Sequence, residues 1–127
     1  MKRIYPMCED DCIAACGSGW YPLINRLIKE VNRLNEEVYD DDFQIEILQI
    51  KEKFGGLRFY VSHGTNELYD LIHATEDESY DVCEYCGGKD NIGYTRGWIR
   101  TLCEKCATGN NFLDKWKKKS TKTTDGI

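Results

Sequence analysis

Residues 83–106 read CEYCGGKDNIGYTRGWIRTLCEKC and contain two Cys-x2-Cys pairs separated by sixteen residues. Each pair can form a tight knuckle that points two thiolates at one ion, while backbone N–H groups stabilise the charge on the sulfurs. Two such knuckles predict a closed tetrahedral S4 site, whose ligands are Cys83, Cys86, Cys103 and Cys106. This donor set suits one structural Zn²⁺, and rubredoxin-type iron is the main alternative because S4 geometry alone does not separate the two metals.

The segment between the two pairs is typical of a zinc ribbon. It has a Gly87-Gly88 turn followed by two short β-compatible stretches, residues 92–94 and 98–101. A closed structural site contributes folding energy but keeps no open position for water. Any catalysis would therefore depend on other residues, and we expect a binding protein rather than an enzyme.

The remaining cysteines are Cys8, Cys12 and Cys16, which bring the total in this 127-residue chain to seven. An odd number, in a sequence that starts without the apolar segment of a signal peptide, disfavours a disulfide scaffold and predicts a cytoplasmic protein. We expect these three residues to be reduced thiols, with a second metal cluster that includes His63 or His73 as the alternative. No apolar run approaches the length of a membrane span, so we expect no membrane association.

The sequence before the cysteine pairs predicts an α+β body in which a helix, a β-hairpin and a second helix follow one another. Apolar residues recur at helical spacing from Trp20 onward, with Ser18 as the expected N-cap and Pro22 in the first turn. Residues 43–62 are rich in β-forming residues and are interrupted by Gly55-Gly56, a two-residue hairpin turn.

The second helix is expected to begin after Gly64, with Thr65 or Asn66 as its N-cap. Three units follow from these patterns. Residues 1–80 form the α+β body, residues 81–113 form a zinc-ribbon or treble-clef-like module packed on it, and residues 114–127 form a basic, disordered tail.

A turn at Gly55-Gly56 would place Lys53 opposite Arg58 and Lys51 opposite Tyr60. Like charges across a strand pair are unfavourable, and a bound anion would relieve them. These four residues are therefore a candidate anion-binding face for a phosphate, a nucleotide or an acidic surface. The interpretation we favour is internal neutralisation by the acidic residues of the body.

Two further positions are informative. Glu52 falls on the apolar face of the hairpin, where an ionised carboxylate needs a partner, and we expect a structural network around it rather than a site role. Arg96 and Arg100 flank Trp98, so an exposed indole there could contact a partner or stack on a base. We expect instead that Trp98 packs the ribbon onto the helices.

Charge is unevenly distributed along the chain, whose formal net charge is −5. Residues 1–80 contain eight Lys or Arg against sixteen Asp or Glu, and residues 81–127 contain nine against six. A mildly basic C-terminal segment on an acidic body does not indicate strong nucleic-acid binding by bulk charge.

Several segments resemble a group of small uncharacterised proteins of bacteriophages and prophage-bearing bacteria. The matching pieces are residues 16–21 (CGSGWY), 51–60 (KEKFGGLRFY), 83–87, 97–98 and 101–103. The resemblance implies a phage or mobile-element origin and a host-cell cytoplasm, but it implies no activity and no catalytic residue.

Three functions remain open at this point. Binding of a host protein, as an inhibitor or modulator of host machinery including antiviral defence, predicts an exposed apolar or acidic patch on the first helix. Nucleic-acid binding predicts that the cations of the hairpin, the ribbon and the tail share one surface. Binding or conversion of a small anionic ligand predicts a pocket beside Lys53, Arg58 and Tyr60. The oligomeric state stays open.

Overall fold

A computed structural model of the chain describes residues 2–9 and 13–119 and has the expected α+β architecture. Its body contains helix α1 (Tyr21–Glu37), strands β1 (Ile47–Lys53) and β2 (Gly56–Val61), and helix α2 (Asn66–Ser79). One apolar cluster joins both helices to the hairpin. The predicted order of helix, hairpin and helix is confirmed.

Helix α1 supplies the centre of this cluster through one continuous apolar face. Its buried apolar side chains are Leu23, Ile24, Leu27, Ile28, Val31 and Leu34. Pro22 lies in the first turn, as expected. A 3₁₀ turn at Ser18–Trp20 leads directly into the helix, so the prediction of Ser18 as the N-cap is wrong. Because Ser18 itself lies in that turn, its hydroxyl does not cap the first free N–H groups of the helix.

The hairpin turns one residue earlier than predicted. Phe54 and Gly55 have φ angles of 52° and 84°, the two positive values of a type I′ turn. Gly56 is instead a buried strand residue, and a Cβ there would collide with the ring of Tyr80. The carboxylate of Glu52 accepts a hydrogen bond from the Gly55 N–H at 2.7 Å, so the partner that it needs is a backbone amide of the turn.

This turn changes the cross-strand partners within the hairpin. Lys51 pairs with Arg58, so the predicted pairs of Lys53 with Arg58 and Lys51 with Tyr60 are wrong. An irregularity between Ile47 and Gln49 shifts the register at the other end of β1. As a result Ile47 is buried and Leu48 is exposed.

Both outer edges of the hairpin are covered. Ala15 bridges in parallel to β1, donating its N–H to the Ile50 carbonyl at 2.8 Å. On the other edge, the Phe59 N–H donates to the Glu76 carboxylate and the Leu57 N–H donates to the Ser79 hydroxyl, each at 2.9 Å. Helix α2 is thus attached to β2 by polar as well as apolar contacts.

Helix α2 begins with the predicted cap. The Thr65 hydroxyl accepts a hydrogen bond from the Leu68 N–H at 3.0 Å, which satisfies one of the free donors of the first turn.

The C-terminal module contains β3 (Ile92–Thr95), β4 (Thr101–Cys103), α3 (Glu104–Gly109) and β5 (Trp116–Lys118). Its sheet has the order β4-β3-β5. The prediction of a disordered tail from residue 114 is wrong up to residue 118, since β5 pairs with β3 and the Trp116 indole donates to the Leu102 carbonyl at 2.9 Å. Residues 120–127, the rest of that predicted tail, lie outside the described residues. Within the described residues, no helix has the length and apolar character needed to cross a membrane.

Candidate metal centre and adjoining surface

The four cysteines of the two Cys-x2-Cys pairs converge in the C-terminal module. Cys83 and Cys86 come from the knuckle between α2 and β3, while Cys103 ends β4 and caps α3, whose first turn contains Cys106. All four sulfur atoms lie within 4.8 Å of one another. A knuckle, a β-hairpin and a helix that contribute ligands in this order form a treble-clef arrangement.

The spacing of the sulfurs fits a single tetrahedral ion. Metal–sulfur distances of about 2.3 Å imply sulfur–sulfur edges of about 3.8 Å, and the Sγ atoms of Cys86 and Cys103 are 3.7 Å apart. The N–H groups of Gly88 and Cys106 donate to the sulfurs of Cys86 and Cys103 at 3.3 and 3.4 Å. These four residues could therefore hold a metal ion that prefers thiolates.

The ionisation of the sulfurs depends on their surroundings. Burial acts to raise the pKa of Cys83, but the backbone amides of Cys103, Cys86 and Tyr85 outweigh it and leave the pKa below its ordinary value. Burial and the neighbouring thiols raise the pKa of Cys106. Because one thiolate opposes the formation of the next, a divalent cation would bind with release of protons and more tightly as the pH rises.

Glu84, between the first two cysteines, joins the module to the body, a role that no local sequence pattern indicates. Its side chain is only 1% exposed. It accepts hydrogen bonds from the Gly17 N–H at 2.8 Å and from the Arg100 guanidinium at 3.0 Å. The Gly19 N–H donates to the Glu84 carbonyl at 2.7 Å, and a Cβ on Gly19 would collide with the Cys83 carbonyl. Gly17 and Gly19 allow this close approach, but Glu84 lies too far along the chain to be identified from the sequence as their partner.

The three remaining cysteines do not all carry the expected reduced thiol. Cys8 is buried and disulfide-bonded, so that expectation is wrong for this residue, and Cys12 lies outside the described residues. Cys16 has a free thiol whose pKa is raised to about 12 by burial and by the carboxylates of Glu84 and Glu52. Among the described residues, only the four-cysteine cluster groups three or more side chains able to hold a metal.

The histidines have separate surroundings. The His63 ring stacks on Phe43 with a centroid distance of 4.2 Å, and His73 is exposed on α2. Neither belongs to the four-cysteine cluster.

The predicted anion-binding face is divided by the observed turn. Lys51 and Arg58 face each other, and the Lys51 ammonium lies 6.0 Å from the centroid of the Tyr60 ring. Arg58 donates to the Tyr80 hydroxyl at 3.2 Å, and this hydrogen bond raises its pKa, with a smaller contribution from the charge of Glu76. Anion binding at this face stays a prediction.

Lys53 lies apart from that face. It flanks the turn, with its ammonium 5.8 Å from the centroid of the Phe54 ring, and it lines a small cleft together with Trp98. Within residues 2–9 and 13–119, no ion pair involves Lys51, Lys53 or Arg58. The expected neutralisation by ion pairs within the body is therefore not found among these residues.

The prediction that Trp98 packs the ribbon onto the helices is wrong, because Trp98 is 75% exposed. Trp20 makes this contact instead, from the body's core, with its indole N–H bonded to the Val82 carbonyl. Trp116 packs within the module and donates to the Leu102 carbonyl. Arg100 is turned towards Glu84 and lies 5.8 Å from the centroid of the Tyr85 ring. Of the predicted contact residues, Arg96 and Trp98 therefore face solvent and Arg100 has a structural role.

Trp98 stands between two clefts. We call the larger one the ribbon cleft; it has a volume of about 580 Å³, and its walls include Tyr85, Arg96, Trp98, Arg100, Phe112 and Lys115. The smaller cleft, of about 250 Å³, separates Trp98 from the hairpin tip at Phe54. The hairpin tip is held there by a hydrogen bond of 2.7 Å from the Thr101 hydroxyl to the Gly55 carbonyl.

We call the exposed apolar residues of this region, with the cations around them, the Trp98 surface. It consists of Lys53, Phe54, Arg96, Trp98, Ile99 and Lys115. Sequence reasoning identified Arg96 and Trp98 but missed Phe54, which the observed turn places at the hairpin tip.

Comparison of the chain with protein-family models, curated proteins and solved structures found no match.

Proposed function

We propose that this chain is a zinc-stabilised binding module that recognises a protein partner through the Trp98 surface. The observation that supports the proposal most directly is the exposure of Trp98, at 75%, beside Phe54, at 69%. Exposing two large aromatic side chains next to each other is costly in water unless a partner covers them. Tryptophan and arginine are also the residues most enriched among those that dominate binding energy in protein interfaces.

Zinc has a supporting role in this proposal. The C-terminal module has few buried apolar residues of its own, and the S4 cluster lies at the base of the hairpin that carries Trp98. An ion bound by the four cysteines would fix the positions of β4 and α3 and thereby the shape of the Trp98 loop. The closed donor set leaves no position for a substrate, which favours binding over catalysis.

A protein partner fits the charge distribution better than a nucleic acid does. Arg96, Lys115 and Lys53 surround Trp98, but residues 1–80 contain twice as many acidic as basic side chains. A long polyanion would be repelled by the body over the whole contact, whereas a folded protein can present a few carboxylates to the cations alone. The exposed outer side of α1 carries charged residues of both signs, so the apolar or acidic patch expected on this helix is not found there. Exposed apolar side chains lie at the hairpin and ribbon tips.

The partner we propose is a host protein, with the chain acting as a phage-type inhibitor or modulator. The resemblance of the segments 16–21 and 51–60 to small phage and prophage proteins supports this setting.

Affinity capture from a bacterial lysate, with the zinc-loaded protein as bait, tests the proposal. We expect a protein that is retained after nuclease treatment and lost with the Trp98→Ala bait. Leu48→Ala is the matched control, because Leu48 is 58% exposed at the end of β1 opposite the hairpin turn. Equal retention by the Trp98→Ala bait would exclude the Trp98 surface as the interface, and loss of the captured material on nuclease treatment would indicate a nucleic acid.

A further inference from the structure

The cations around Trp98 differ in whether an acidic side chain neutralises them. Arg100 is neutralised by Glu84, with 3.0 Å between the guanidinium and the carboxylate. Arg96 and Lys115, on the rim of the ribbon cleft, take part in no ion pair with any residue of the described ranges. Two positive charges without a counterion among these described residues therefore border a cleft whose wall is aromatic.

The backbone holds these two cations together. The Arg96 N–H donates to the Lys115 carbonyl at 2.8 Å, and the Arg96 guanidinium donates to the Asp114 carbonyl at 3.3 Å. Their side chains consequently project from adjacent segments on one rim. The rim charge is thus determined by the fold and not only by the conformations of two flexible side chains.

The interior of the cleft is apolar. Tyr85 and Phe112 are partly buried on the module's core, and Trp98 closes the outer side. A volume of about 580 Å³ lies in the range of about 300–1,000 Å³ that is typical of ligand pockets. The cleft therefore complements a ligand that has an apolar group to place inside and negative charges to place at the rim.

We propose that the ribbon cleft binds an acidic peptide segment of the partner, with one aromatic side chain inserted between Tyr85, Trp98 and Phe112 and with carboxylates paired to Arg96 and Lys115. This inference rests on the proposed function and identifies the chemistry of the partner. An aromatic side chain gains both apolar burial and ring contacts in such a pocket. The rim carboxylates increase the association rate and specify the direction of the segment.

Titration of the zinc-loaded, ¹⁵N-labelled protein with the acetylated, amidated peptide EDEFEDE tests this inference by NMR. We expect the cross-peaks of the Trp98 indole and of residues 96 and 115 to shift together. The matched peptide EDEAEDE should bind about tenfold or more weakly, since it lacks the inserted ring. Added salt should weaken the binding of EDEFEDE by screening the rim charges.

Protein variants separate the contribution of the Trp98 ring from that of the two rim charges. Trp98→Phe should bind EDEFEDE more tightly than Trp98→Ala does, because a ring still closes the cleft. The double variant Arg96→Ala/Lys115→Ala should lose about tenfold in affinity, and the control Lys29→Ala/Lys105→Ala, which removes two other exposed lysines, should lose none. Unchanged zinc content and dispersed spectra exclude misfolding of any variant as the cause.

Several results would overturn the inference. The charge-reversed peptide KRKFKRK could bind equally well, EDEFEDE could shift only the residues around Lys51 and Arg58, or a thymidine oligonucleotide could replace the peptide as the better ligand. Failure of EDEFEDE alone, with partner capture still dependent on Trp98, would refute the inference and leave the proposed function intact. Partner capture independent of Trp98 would refute the proposed function itself.

Discussion

Among the described residues, sixteen buried side chains form the apolar cluster of the body, whereas five form that of the C-terminal module. Two of those five, Cys83 and Cys103, are also candidate metal ligands. Burial of one large apolar side chain contributes about 1.5–3 kcal/mol, so the body has an apolar core of the size that a small domain needs and the module does not. This difference indicates that the hydrophobic effect stabilises the body, while an ion held by the four cysteines would replace the missing core of the module.

Loss of the metal should reduce folding stability more than any other change, and it should affect the C-terminal module much more than the body. Zinc bound by four cysteines contributes about 10 kcal/mol or more to the folding of small modules. In Cys83→Ser we expect about one zinc per chain to be lost, together with the NMR dispersion of residues 83–119. Elemental analysis and ¹⁵N spectra measure both quantities.

The α1 signals and the body's helical circular dichroism should persist in the same variant. A metal-free protein with an intact module, or a Cys83→Ser protein in which the body also unfolds, would contradict the comparison.

Removal of Glu84 should weaken the connection between the regions. Glu84→Ala deletes the acceptor of the Gly17 N–H and leaves the partly buried Arg100 unpaired, which should cost about 3 kcal/mol of unfolding free energy. Glu84→Gln keeps an acceptor for Gly17 and should cost less. Urea denaturation measures both values, and equal stability of the two variants would show that the Gly17 contact contributes nothing.

A cavity in the body tests whether the module depends on the body's apolar core. Leu27 is fully buried in α1, so Leu27→Ala should lower the unfolding free energy by about 2–5 kcal/mol. The zinc content should stay at one per chain because the module does not depend on this side chain. The exposed Leu48→Ala should change stability by less than about 0.5 kcal/mol. Loss of zinc from folded Leu27→Ala would mean that the module depends on the body's core.

The smallest expected change in unfolding free energy comes from the surface ion pair between α1 and α2. Arg26 and Glu78 are 2.8 Å apart, and the hydrogen bond from Arg26 lowers the pKa of Glu78. A carboxyl whose pKa is lower in the folded state stabilises the fold above its unfolded pKa, and this contribution is lost as the pH falls through the folded value. Since the Glu78 side chain is 34% exposed, Arg26→Ala should cost only a few tenths of a kcal/mol at neutral pH.

That difference should begin to shrink below the ordinary glutamate pKa of about 4.3. Urea denaturation in the Cys83→Ser background measures it without interference from acid-induced loss of zinc. A penalty that stays constant to lower pH would assign the effect to packing rather than to charge.

The parts of the structure that sequence could predict are those determined by local pattern. The cysteine spacing predicted the four-cysteine cluster, the periodicity predicted the buried face of α1, and Thr65 caps α2 as expected. In each case the decisive residues lie within a few positions of one another or belong to a motif with a fixed geometry.

The parts that sequence could not predict depend on residues far apart in the chain. The hairpin turns at Phe54–Gly55 because Gly56 is needed against Tyr80, and Glu52 has its partner only in that turn. Trp98 is exposed, while Trp20 joins the body to the module and Trp116 packs within the module. Neither outcome has a signature in the local sequence.

The contact between Gly17 and Glu84 also sets an order of events during synthesis of the chain. These residues are 67 positions apart, which corresponds to about 3–13 s of translation at 5–20 residues per second. Helix α1 and the hairpin can emerge from the ribosome and form early, and Ala15 can already pair with β1, but the N–H groups of Gly17 and Gly19 have no acceptor until the first knuckle follows. A nascent chain therefore also leaves the Trp20 indole N–H without its acceptor, the Val82 carbonyl, for seconds, and that interval is when chaperones or proteases have access to this segment.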